Sequence, residues 1–296
     1  MIFSPFERER VEARRQRFRA IPVRTLLPNL ITLLALCAGL TGIRLAYEGK
    51  LELALAAIVF AAALDGIDGR VARLIKGQSK FGAELDSLAD FVNFGVAPAL
   101  ILYLWGLHDF KNVGWIAALV FAICASLRLA RFNVMIEDPN RPAWTGNFFT
   151  GVPAPAGAIT VLLPVYVNLL GLPYSMPLVS FALVYTLAIA FLMVSRLPVF
   201  SGKRVGKRVP PEMVLPVFVL VVLFIALLIS FPWEVMTIGT LCYLASLPFG
   251  LRSYREHERK DAAAAAVLPG TAAPSAEPPA AAPPPAENDA RPARLN

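Results

Sequence analysis

Long apolar runs separated by short polar or basic breaks organise this chain. Eight runs stand out, at about 26–47, 51–75, 83–106, 112–134, 154–171, 175–196, 212–231 and 234–252. Several are near the roughly 20 residues that an α-helix needs to cross a hydrocarbon layer about 30 Å thick. The runs at 154–171 and 234–252 are shorter and contain Pro or Gly. The pattern predicts an all-α integral membrane protein with about eight transmembrane helices, filling residues 26–252.

The flanks read differently. Residues 1–25 mix Arg with Phe6, Val11, Phe18 and Ile21, as an amphipathic helix lying on anionic membrane lipids would; a solvated basic helix is the plainer alternative. This stretch lacks the apolar core and small-residue cleavage site of a signal peptide. Residues 261–296 are dominated by Ala and Pro without apolar periodicity, which predicts a disordered cytoplasmic tail.

Composition agrees with the pattern. Of 296 residues, 57% are hydrophobic and only 17% charged, against about a quarter charged in soluble domains. The net charge of +7 says less than its placement. With the N-terminus inside, inside segments collect seven Arg before residue 25, then Arg70, Arg73, Lys76 and Lys80, then Arg128, Arg131 and Arg141. They also collect Arg196, Lys203, Arg204, Lys207 and Arg208, and finally Arg252, Arg255, Arg259 and Lys260. Arg44, Lys50 and Lys111 alone fall outside. That asymmetry predicts both termini in the cytoplasm, and it reads as topology, with no nucleic-acid partner. Cys37, Cys124 and Cys242 sit in apolar runs without metal-type spacing, as small hydrophobes do.

Four acidic residues interrupt the apolar spans away from their ends: Asp65, Asp68, Asp86 and Asp90. A carboxylate at membrane depth costs at least a few kcal/mol on insertion scales, so a group of four needs compensation. Asp65 and Asp68 are three apart, and Asp86 and Asp90 four apart, so each pair shares a helix face. Asp68 lies nine residues before Gly77 and Asp86 nine after it; Asp65 lies twelve before and Asp90 thirteen after. In an antiparallel helical hairpin these positions match in depth, roughly 13–20 Å from the turn. Four hard oxygen ligands with no His or Cys nearby suit Mg²⁺ or Mn²⁺, and suffice for two divalent ions holding a phosphoryl group. Gly66, Gly69 and Gly82 leave room for a ligand, and Arg73 lies one turn beyond Gly69 with a fork suited to phosphate. Snorkelling or mutually bonded carboxylates without a ligand are the plainer reading, and four at matched depth argue against it.

The stretch Asp65-Gly-Ile-Asp68-Gly69-Arg-Val-Ala72-Arg73, followed by Gly82, Asp86 and Asp90 at fixed intervals, resembles the signature of the CDP-alcohol phosphatidyltransferases. The signature spans about 26 residues, and the wider resemblance runs from Pro28-Asn29 to about residue 252. It implies a core of six transmembrane helices, a homodimer, and transfer of a phosphatidyl group from CDP-diacylglycerol to an alcohol with release of CMP. By the same resemblance Asp65, Asp68 and Asp86 hold a first metal, and Asp65, Asp86 and Asp90 a second. Asp90 matches the general base that deprotonates the acceptor. Gly69, Arg73 and Ser79, beside Gly82, match positions that hold the CDP moiety, and Asn29 and Thr32 match a further contact to that nucleotide.

Within the family the chain is most similar to the polytopic bacterial branch that uses L-serine as acceptor. The resemblance rests on Ser87-Leu-Ala-Asp90-Phe-Val-Asn-Phe-Gly95-Val-Ala-Pro98, Arg128-Leu-Ala-Arg131-Phe-Asn133 and Phe149-Thr-Gly151-Val-Pro-Ala-Pro155. Arg128, Arg131 and Asn133 end the fourth span on the cytoplasmic side; they either bind the serine carboxylate or serve as basic anchors. Glycerol 3-phosphate, choline or an inositol phosphate remain alternative acceptors. An ion-coupled transporter is the alternative of another class, and it would call for broken helices in symmetric halves.

Overall fold

A computed structural model of the chain describes residues 23–136, 148–195, 197–200 and 211–267. Most of the basic N-terminal segment and the tail beyond Val267 lie outside the described residues. A helix, continuous or broken, occupies each of the eight apolar ranges. They are α1 (Val23–Tyr47), α2 (Leu51–Leu74), α3 (Lys80–Asp90) with α4 (Ala97–Trp105), α5 (Asn112–Ile136), α6 (Ala154–Val161) with α7 (Leu163–Leu169), α8 (Met176–Val194), α9 (Pro211–Ser230) and α10 (Pro232–Val267). Five continuous stretches, Thr25–Tyr47, Lys80–Trp105, Asn112–Met135, Met176–Val194 and Glu212–Ser230, are long and apolar enough to cross a membrane by length and composition. Helix α2 is continuous, but its aspartates and arginines interrupt its apolar character.

Local chemistry sets the boundaries. Gly49, at φ +78°, closes α1: its N–H donates to Ala46 O, and Lys50 N–H to Leu45 O. The same closure ends α2, with Lys76 N–H donating to Arg73 O and Gly77 N–H to Ala72 O. Here a lysine occupies the left-handed position, at φ +51°. Ser79 then caps α3, its Oγ accepting from Gly82 N–H at 3.0 Å.

Two expected single spans are broken. In the third, a π-helical turn over Phe91–Val96 separates α3 from α4. Pro98 has no N–H for the carbonyl of Phe94, so the regular ladder cannot run through. Gly95 lets this turn approach α5, where an added Cβ would stand 3.1 Å from that of Ala125. The fifth breaks at Leu162, between α6 and α7, just ahead of Pro164.

Small residues bring α1 and α2 together: Ala35, Ala46, Ala54 and Ala61 are buried, and Gly42 lies against Ala54 O and Ile58. The core is formed chiefly by Phe94, Ile101, Leu102, Phe121, Leu162, Tyr166, Ile189 and Met193, where α4 to α8 meet. From Glu212 to Ser230 the side chains of α9 are exposed, Leu228 being half-buried, as suits a helix facing lipid. A two-stranded antiparallel ribbon, β1 (Phe148–Thr150) with β2 (Pro198–Phe200), adds the one strand pair among the described residues to an otherwise helical chain. Helix α10 continues seven residues into the stretch expected to be disordered from 261, because Ala262 to Ala266 are strong helix formers. By compactness the described residues up to Tyr254 form one unit, and those from Arg255 to Val267 belong to a second.

Aromatic residues gather at the end away from the Ser79 turn. Trp105 meets Tyr174 edge-to-face at 5.8 Å and donates from Nε1 to Asn168 Oδ1 at 3.0 Å. Tyr103 packs against Trp115, and Trp233 stacks on Tyr166.

Candidate active site

The α2–α3 hairpin places its acidic faces together. Asp65, Asp68 and Asp86 each offer a carboxylate oxygen, and these atoms all lie within 4.8 Å of one another. Asp90 stands beside this trio with its carboxyl against that of Asp65, and its Oδ1 is buried without a hydrogen-bond partner among the described residues. Asp68 is anchored from outside the hairpin: Thr32 on α1 donates its hydroxyl to Asp68 Oδ2 at 2.6 Å, with Pro28 O as a second acceptor at 3.1 Å.

A cavity of about 260 Å³ opens beside the cluster. Asp68 and Asp86 belong to both. Its other walls are Pro28, Asn29 and Thr32 of α1, Gly69, Ala72 and Arg73 of α2, Gly77 and Gln78 of the turn, and Ser79, Gly82 and Ala83 at the start of α3. The N-terminus of α3, capped by Ser79, therefore borders this space, a setting that favours phosphate. Nothing but Arg73 Nη1, at 3.9 Å, comes near a Cβ placed on Gly69. At Gly82 the space is filled, and a Cβ would stand 2.8 Å from Asn29 Oδ1 and 3.1 Å from Ser79 Oγ. Each residue matched to the nucleotide (Asn29, Thr32, Gly69, Arg73, Ser79 and Gly82) lines this one cavity. Gln78 also lines it and was missed; a polar side chain inside the turn between Arg73 and Ser79 was the available signal.

Family descriptions match this chain twice. That of the CDP-alcohol phosphatidyltransferases covers residues 25–194, and that of a second group, CDP-alcohol phosphatidyltransferase 2, covers residues 212–248. The chain belongs to the CDP-alcohol phosphatidyltransferase family. It is thus a transferase, and a multi-pass membrane protein. It is 40% identical to a CDP-diacylglycerol–serine O-phosphatidyltransferase of Mycobacterium leprae, over 78% of this chain and 76% of that protein. To the Helicobacter pylori protein of the same description it is 34% identical, over 74% and 88%. An archaetidylserine synthase of Methanothermobacter thermautotrophicus is 36% identical over 46% of this chain and 55% of its own length.

The three residues read as either acceptor contacts or basic anchors separate in space. Arg128 is buried, with its guanidinium 5.2 Å from the Phe132 ring centre and within electrostatic reach of Asp90. Arg131, one turn on, donates from Nη1 to Val194 O at 2.7 Å, where α8 ends. Asn133 is exposed and donates from Nδ2 to Ser87 Oγ at 2.9 Å. Of the three, Arg128 is the one beside the carboxylates.

Proposed function

We propose that this enzyme transfers the phosphatidyl group of CDP-diacylglycerol to the hydroxyl of L-serine, giving phosphatidylserine and CMP. The observation that carries the reading is the junction of carboxylate cluster and cavity, since Asp68 and Asp86 belong to both. A nucleoside diphosphate in the cavity brings its phosphates to the cluster. The names of the relatives, serine enzymes among them, support the acceptor.

The donor set fits Mg²⁺ or Mn²⁺, because Asp65, Asp68 and Asp86 supply only hard oxygen atoms at close range. When bound there, with Asp90 beside Asp65 as a further ligand for a second ion, divalent metal supplies positive charge against the diphosphate and the departing phosphate oxygen. Asn29 and Ser79 hold the nucleotide, and Arg73 with the N-terminus of α3 binds its phosphates. Asp90 takes the proton of the serine hydroxyl, and its unpartnered Oδ1 has a lone pair free for that role. The serine oxygen then bonds to the phosphorus that carries diacylglycerol, the bond from that phosphorus to CMP breaks, and CMP leaves.

Arg128 sits where it can hold the serine carboxylate. The rival with a phosphorylated acceptor would use Arg128 and Arg131 together, and Arg131 is already engaged by Val194 O. We place the active site and both termini on the cytoplasmic side of the inner membrane, following the Lys and Arg distribution. Residues 26–252 are the catalytic domain, and the family resemblance supports a homodimer.

The test is an acceptor panel. Purified protein, CDP-diacylglycerol and Mg²⁺ or Mn²⁺ are mixed with serine, glycerol 3-phosphate, choline or an inositol phosphate, and CMP is followed. Serine is expected to be consumed one for one with CMP released. Release that depends on another alcohol and not on serine would overturn the acceptor.

A further inference from the structure

We propose that the last membrane helix, through Tyr243 and Thr240, forms one wall of the acceptor pocket and helps to set which alcohol is used. The inference rests on the phosphatidyltransferase reading above and extends it to a helix that lies outside the residues 25–194 matched to the main family description.

Helix α10 presents one face to the protein. Trp233, Met236, Tyr243, Leu244 and Leu247 recur at helical spacing and pack on the core, and Thr240 lies among them, buried. Most of that face is apolar, so its hydroxyls stand out. The Oγ1 atoms of Thr237 and Thr240 and the phenol oxygen of Tyr243 are all buried, and none has a hydrogen-bond partner among the described residues. Four further atoms share that condition: Arg128 Nε of α5, Asp90 Oδ1 at the end of α3, and Oδ1 and Nδ2 of Asn93 in the π-helical turn that follows. Arg128 lies within electrostatic reach of both Asp90 and Tyr243.

Native proteins rarely leave one such group unpaired, because each has lost its water and received nothing in return. Here a carboxylate, a guanidinium and a phenol occur together in that condition, between three helices and next to the proposed base. These atoms are shut off from solvent, so in this conformation the pocket has closed on itself. A small zwitterionic alcohol entering between α5 and α10 supplies what they lack. Its carboxylate accepts from Arg128 Nε and the Tyr243 hydroxyl, Thr240 offers a hydroxyl to its polar remainder, and its own hydroxyl reaches Asp90. The second negative charge of a phosphomonoester would call for a second cation, and Arg131 is turned away to Val194 O.

The experiment compares wild type, Tyr243→Phe and Thr240→Val in the purified full-length enzyme by CMP release, with serine and CDP-diacylglycerol varied in turn, beside a thermal melt. Tyr243→Phe should raise the serine KM roughly tenfold or more, the range for losing a hydrogen bond to a charged group. Its CDP-diacylglycerol KM should stay within about twofold of wild type, since the nucleotide cavity lies elsewhere. The melting temperature should hold or rise, because the hydroxyl removed has no partner in the resting protein. Thr240→Val should raise the serine KM in the same selective way. An unchanged serine KM in both variants, or equal rises for both substrates, would overturn the proposal. If wild type proves to use another alcohol and Tyr243→Phe raises the KM for that one, the serine reading fails and the pocket assignment stands.

Discussion

The hydroxyl of Thr32 on α1 donates to Oδ2 of Asp68 on α2 at 2.6 Å, which ties the first span to the carboxylate cluster of the second. Both residues also line the cavity beside that cluster. Removing the hydroxyl leaves a buried carboxylate without that donor. Thr32→Val is expected to lower kcat/KM for CDP-diacylglycerol by roughly 10- to 100-fold, from loss of a hydrogen bond to a charged group. Thr32→Ser should restore most of it. Steady-state kinetics of both variants check this, and equal activity of the Val and wild-type enzymes would remove Thr32 from the site.

Gly82 tests the nucleotide cavity by shape. A methyl there would stand 2.8 Å from Asn29 Oδ1, and the end of the Asn29 side chain is free to swing away. Gly82→Ala should therefore fold normally while displacing Asn29 from the nucleotide. The expected outcome is a CDP-diacylglycerol KM raised by about tenfold or more, with the serine KM little changed. Nucleotide titration of the purified variant reads the same loss directly.

Away from the chemistry, Tyr174 in the turn before α8 donates its hydroxyl to Asp109 Oδ2 at 2.6 Å. Burial, and after it the bond to Asp109, push the phenol up to about 12, from about 10 in a free tyrosine. A raised phenol pKa means that the stabilisation is complete below about pH 10 and is lost as pH rises through about 12. Tyr174 is exposed, so Tyr174→Phe should cost only about 0.5–1 kcal/mol. Melts of both proteins should differ by about 1–4 °C between pH 6 and 9, with the gap closing above pH 10. Turnover should be unaffected.

The carboxylate hairpin was legible because two periodicities coincide there: three- and four-residue spacing fixes the faces, and symmetry about Gly77 fixes the depth. The six residues matched to the nucleotide by resemblance all line one cavity, although hydropathy and spacing alone do not single them out. Hydropathy could not reveal the breaks at Phe91–Val96 and Leu162, because both lie inside uniformly apolar runs and follow from Pro98 and Pro164. Nor could it separate Arg128 from Arg131. One turn apart on a single helix, they share a face, and only the end of α8 draws Arg131 away. Thr240 and Tyr243 carry no charge, so within an apolar span they read as ordinary core positions.

Serine-dependent CMP release tests the central claim most directly, measured for wild type, Asp86→Asn and Asp90→Asn with Mn²⁺ and after chelation. Asp86 joins the carboxylate cluster to the cavity, whereas Asp90 stands beside the cluster as the proposed base. The wild type should release CMP only with serine present and stop when the metal is chelated. Each variant should fall by at least about 10²-fold. Asp90→Asn should still bind CDP-diacylglycerol with wild-type affinity. Near wild-type release from either variant would contradict the assignment of this hairpin as the site of phosphatidyl transfer.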